Sequence, residues 1–194
     1  MPKLGMEPVR RRDLINATIR EIGDAGTLDI TVAQIARRAG MSSALAHHYF
    51  GGKDDIFLAA MRHVLRAFGA EARAAMRGQT APVARAEAII DACFGGENFR
   101  ADVISAWLNF YVLAQRSPEA RRLLVAYQSR LRSNLRYALR PILGAAAEEV
   151  ADMLAAMIDG AYLRHGLGGA APDGARAAAS VKSSLTHIVK GLAS

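Results

Sequence analysis

One cysteine, Cys93, stands in 194 residues. That excludes an internal disulfide and any zinc site built from several thiolates. Such scarcity fits a reducing compartment, so a cytoplasmic location is expected. Aromatic residues are only 6% of the chain, with a single tryptophan, and no stretch reads as a strand. No apolar run approaches the roughly 18 residues that a membrane-spanning helix needs. The basic opening, residues 1–12, has no apolar segment behind it and does not read as a secretory signal. Glycine-rich phosphate loops, a nucleophile elbow and paired metal ligands are all missing. Catalysis is therefore not expected, nor is a cofactor or a metal, and Cys93 reads as inert core.

What is present is apolar and helix-forming. Hydrophobic residues make up 52%, enough for a sizeable core. Alanine, leucine, arginine, methionine and glutamate lose little side-chain entropy in a helix, so the expected fold class is all-α. The formal charge of +7 and the isoelectric point near 10.1 favour polyanionic partners. The excess is not confined to one end: residues 1–62 hold nine Lys/Arg against seven Asp/Glu.

Periodicity and breakers predict the helices. A first covers 8–25, with Ile15, Ile19 and Ile22 on one stripe and Gly26 as its end. A second follows Thr31, which forms a capping box with Gln34, and ends at Gly40. Ser42 caps a third over 43–49, and Gly51-Gly52 breaks it. A long amphipathic helix covers 53–77. Further helices are expected at 83–94, 102–115 (apolar and so buried all round), 118–139, 148–167 and 173–192.

Two short helices joined by Gly40-Met41-Ser42, with a third before them, have the shape of a DNA-reading helix-turn-helix. The run 31–42, then His48-Tyr49-Phe50 and Lys53, resembles the signature of the TetR family of bacterial transcription regulators. The resemblance implies an N-terminal helix-turn-helix head (1–62) and a helical effector-binding and dimerisation body (63–194). It implies a homodimeric repressor on double-stranded operator DNA, with a small-molecule effector and no membrane partner. Further pieces at 1–6, 10–12, 33–40, 106–110 and 157–164 are similar to one branch of that family. That branch represses choline uptake and glycine betaine synthesis genes and responds to choline. A regulator of the same family answering another apolar or cationic compound, such as an efflux regulator, is the alternative.

The resemblance places roles on residues. Thr31, Arg37, Ser42, Ser43, His47, Tyr49 and Lys53 are expected on phosphates or sugars around the groove, and Ala44 and Leu45 at base edges. His47 stands where many members carry tyrosine, which makes that contact pH-dependent. Arg10 to Arg12 either reach the DNA or form a solvated terminus. His48 and Phe50 read as core; a His47–His48 metal pair is disfavoured because neighbours on a helix diverge.

Trp107, Phe110, Tyr111 and Tyr162 are candidates for an aromatic cage around a quaternary ammonium, with Asp159 as counter-charge and Asp91 or Glu97 as weaker options. Plain core packing is the competing reading, and Asp159 could instead pair with Arg164. Leu154 and Ile158 on one helix, and Val181, Leu185 and Ile188 on the next, form stripes expected to make a dimer interface. Burial of both stripes within one chain is the alternative. Arg121, Arg122, Arg130, Arg132, Arg136 and Arg140 form a positive segment, read as a solvated helix face or a second nucleic-acid surface.

Overall fold

The computed structural model describes residues 6–192, and among these nine α-helices form with no strand. The pieces of the family resemblance at residues 1–5 lie outside the described residues. In chain order the helices are α1 (Met6–Ala25), α2 (Val32–Arg38), α3 (Ser43–Phe50), α4 (Lys53–Met76), α5 (Pro82–Phe94), α6 (Ala101–Arg116), α7 (Pro118–Leu143), α8 (Ala147–Leu167) and α9 (Gly174–Leu192). All-α architecture is thus as expected.

Local chemistry sets the first three. On α1 the fully buried positions are Leu14, Thr18 and Ile22, while Ile15 is half-buried. Of the expected stripe, Ile19 and Ile22 are buried as predicted, and the buried face widens to Leu14, Ala17 and Thr18 where α1 packs on α4 and α6. Thr18 tolerates burial because its hydroxyl donates to the Leu14 carbonyl at 2.7 Å. The capping box of α2 is complete: Thr31 N–H donates to Gln34 Oε1 at 2.7 Å and Gln34 N–H to Thr31 Oγ1 at 3.2 Å. Gly40 turns the chain with φ +66°, a conformation costly for any residue with a Cβ. Ser42 Oγ then accepts from Leu45 N–H at 3.2 Å to start α3.

The long α4 crosses residue 62 without a break, so head and body share one rod. Helix α6 is not buried all round: Val112 is 56% exposed, because α1, α7 and α8 flank the helix and leave one side open. Of the expected interface stripes, Leu154, Ile158, Val181 and Leu185 lie inside the chain's own core, and Ile188 is half-buried. Helix packing within the chain is the cause. Helix α8 lays that side on α7 and α6, and α9 lays its side on α5. The α8 face turned outward instead carries Met153, Ala156, Leu163 and Leu167. Three of the six arginines of α7 are employed at home. Arg132 pairs with Asp152 and Arg136 with Glu148, joining α7 to α8, and Arg121 caps the carbonyls of Ala114 and Gln115.

Candidate functional site

Helix α3 buries a single residue, Ala46. Around it Ser42, Ser43, Ala44 and His47 are exposed, and Leu45 and Tyr49 are half-exposed. These expected contacts therefore share one accessible rod, and Thr31, Arg37 and Lys53 are exposed beside it. Some of these groups already have partners. Lys53 Nζ donates to the Leu28 carbonyl at 3.2 Å, and the His47 ring bonds to the Gly51 carbonyl. His48 is exposed rather than core, since α3 is too short to bury two sides, and it joins the accessible face. Phe50 packs half-buried on the core, and the Arg11 guanidinium lies 4.5 Å over its ring. Arg11 also pairs with Glu7 at 3.3 Å, so the middle of the basic run braces α1 and α3. Arg38 ties α2 to α1 through Glu21 and Asp24.

In the body, the candidate cage residues come together. Trp107 is buried, with ring centroids of Tyr127 at 4.6 Å, Tyr111 at 5.8 Å, Phe110 at 5.9 Å and Tyr162 at 6.1 Å. The Tyr111 hydroxyl donates to Asp159 Oδ1 at 3.0 Å. Asp159 thus pairs with Tyr111, not with Arg164. Burial pushes the Asp159 carboxyl above its ordinary range, against the opposing effect of hydrogen bonds from Tyr111 and Gln128. The two weaker acidic options are occupied elsewhere: Asp91 pairs with Lys182 at 2.7 Å and Glu97 with Arg100 at 2.9 Å.

Two of the expected cage residues stand behind the others. Phe110 is fully buried and turns toward Phe57 of α4, 6.3 Å away. Tyr162 packs among Phe94 and Phe99, and its hydroxyl lies within 2.5 Å of the Cys93 carbonyl and 3.2 Å of the Asn98 carbonyl. Sequence reasoning missed Tyr127 and Gln128. Both sit on α7, and the signal that could have found them is an aromatic and an amide amid an arginine-rich helix.

The opposite side of α6 grips the head. Ser105 Oγ donates to the Ile22 carbonyl at 3.3 Å, and Asn109 Nδ2 to the Gly26 carbonyl at 3.4 Å. One helix therefore holds Trp107 and Tyr111 on one side and the end of α1 on another.

Comparison with known proteins agrees with this layout. Residues 14–60 match the family described as bacterial regulatory proteins, tetR family, and residues 82–190 match the BetI-type transcriptional repressor, C-terminal. The chain is 53% identical over 192 residues to the HTH-type transcriptional regulator BetI of Brucella anthropi, covering 98% of this chain and 99% of that one. It is 52% identical over 192 residues to BetI of Brucella suis, covering 98% and 97%. In fold it is similar to a transcriptional regulator from Saccharomonospora viridis solved in complex with choline, at 21% identity and a TM-score of 0.77, covering 91% of this chain and 95% of that one.

Proposed function

The chain belongs to the TetR family of DNA-binding transcriptional regulators and carries a BetI-type C-terminal domain, and from that premise we propose that it is a dimeric repressor of choline uptake and glycine betaine synthesis genes, responsive to choline or a related quaternary ammonium compound. It is a bacterial cytoplasmic protein on this reading, associated with the nucleoid when on DNA, and has no catalytic role.

The observation that carries the effector assignment is the half-buried Asp159 carboxylate bonded to Tyr111, whose ring packs on Trp107 and, through it, Tyr127. A quaternary ammonium has no proton to donate. Ring faces attract it by about 0.5–2 kcal/mol each, and a nearby carboxylate adds Coulomb attraction. The Saccharomonospora viridis relative in complex with choline supports the same class of ligand.

Entry of a trimethylammonium group must part Trp107 from Tyr127. That pushes α6, and α6 carries the end of α1 through Ser105 and Asn109. Ligand acts only by binding the shifted state more tightly. In the dimer, the outward α8 face of Met153, Ala156, Leu163 and Leu167 meets its counterpart, which presents two α3 helices to half-sites about 34 Å apart. Ala44, Leu45 and His48 then face base edges, while Ser42, Ser43, His47, Tyr49, Arg37, Thr31 and Lys53 meet the backbone.

Calorimetric titration of the purified protein with choline, betaine aldehyde and glycine betaine tests the effector, and the expected result is saturable heat with choline. Silence with all three at millimolar concentration transfers the protein to a different apolar or cationic effector. Sedimentation tests the dimer: Leu163→Glu should give a monomer, and a variant that stays dimeric rejects the α8 face.

A further inference from the structure

A groove of about 380 Å³ opens on the body surface between α4 and α7. Its floor is apolar, made by Leu65, Phe68, Leu123 and Tyr127, and its rim carries Arg62, Arg66, Arg73 and Arg130. Among the described residues one acid answers these four cations, Glu119, which pairs with Arg62. Among the described residues Arg66, Arg73 and Arg130 have no ion-pair partner. The Arg73 guanidinium lies across Gly69: a Cβ there would sit 3.3 Å from its Nη1.

Like charges around one concavity repel, and a structural role would supply carboxylates, as the Arg132 and Arg136 pairs along the same helix do. The shape also matters. A flat polyanion such as DNA needs no apolar floor, whereas small-molecule sites are concave, of roughly 300–1,000 Å³, and mostly apolar with a few charged groups. We propose that this groove is a second ligand site, for an anionic small molecule with an apolar body: a carboxylate or phosphate ester whose head meets the guanidiniums and whose body lies on Phe68 and Tyr127. Guanidinium groups suit both heads because their planar fork donates two hydrogen bonds to paired oxygens. The site does not rest on the choline reading. It does share Tyr127 with the cage, and the only tryptophan of the chain, Trp107, lies 4.6 Å behind that ring.

The test is calorimetric titration of the full chain, without choline, using octyl phosphate, octanoate and inorganic phosphate, with Trp107 fluorescence followed in parallel. Saturable binding of octyl phosphate or octanoate, with a change in Trp107 emission, is expected. Which of the two binds more tightly distinguishes a phosphate-headed from a carboxylate-headed ligand. Inorganic phosphate should bind at least about tenfold more weakly than octyl phosphate, since it leaves the apolar floor uncovered. Arg66→Gln with Arg130→Gln should weaken octyl phosphate binding by about tenfold or more. Arg77→Gln, which removes the same charge from the end of α4 outside the groove, should leave binding unchanged. Absence of heat with both amphiphiles overturns the site. So does equal loss in Arg77→Gln, or undiminished binding in the double variant when its melting temperature matches wild type.

Discussion

Gly23 of α1 and Asp102 of α6 approach so closely that a Cβ on Gly23 would lie 2.3 Å from the Asp102 Cβ and 2.6 Å from its Cα. No side chain, however flexible, can relieve that contact, because backbone stands in the way. Head and body are therefore in near-backbone contact at this point, one turn of α6 before Ser105 takes the Ile22 carbonyl. Alanine gains about 1 kcal/mol over glycine in a helix interior, but prising apart two packed helices costs about 1–3 kcal/mol. Gly23→Ala should thus lower the melting temperature by a few degrees. It should also shift operator affinity with and without choline toward a common value, as read by gel shift. A variant as stable and as choline-responsive as wild type refutes the coupling through this contact.

Cys93 should be silent. It is buried on α5, and burial pushes its thiol well above the ordinary range, with Asp159 and Asp91 adding to the effect. Iodoacetamide at neutral pH should leave the native protein unlabelled by mass spectrometry and label it fully in denaturant. Rapid native labelling with loss of operator binding would instead make the thiol functional.

The head was the most legible part of the sequence, because its signals are local. The Thr31–Gln34 box, the Gly40 turn and the Ser42 cap each act within four residues, and each recurs in the structure. The body is a matter of which helix faces which, and periodicity alone does not decide that. Leu154, Ile158, Val181 and Leu185 read equally well as an interface or as core; α7 and α5 make them core. Tyr127 escaped notice because it is isolated among arginines, and only the packing of α7 on α6 sets it against Trp107.

Salt should weigh on operator binding through few residues. Each phosphate contact contributes about −0.9 to the slope of log affinity against log salt. Lys53→Met keeps the aliphatic stem and loses the ammonium, which is exposed apart from its bond to the Leu28 carbonyl. The slope should flatten by about one unit, equally on operator and unrelated DNA. An unchanged slope removes Lys53 from the phosphate contacts.

On the proposed reading, with Asp159 as counter-charge, choline binding should carry a pH dependence of definite sign. Burial raises its pKa above the unfolded value, so between the two values the folded state holds the extra proton. The fold therefore gains stability as pH falls through that window and loses it as pH rises. The ligand responds in the opposite sense: an ammonium is attracted by the carboxylate and not by the neutral acid. Choline affinity, measured by calorimetry, should fall on acidification while the melting temperature shows the opposing contribution. Asp159→Asn holds the neutral-like state at every pH. It should bind choline about tenfold or more weakly near neutrality, the scale of a lost partly buried charge partner, and its affinity should no longer depend on pH. If Asp159→Asn binds choline as wild type does, with the same pH profile, the counter-charge lies on another residue and the cage must be sought elsewhere in the body.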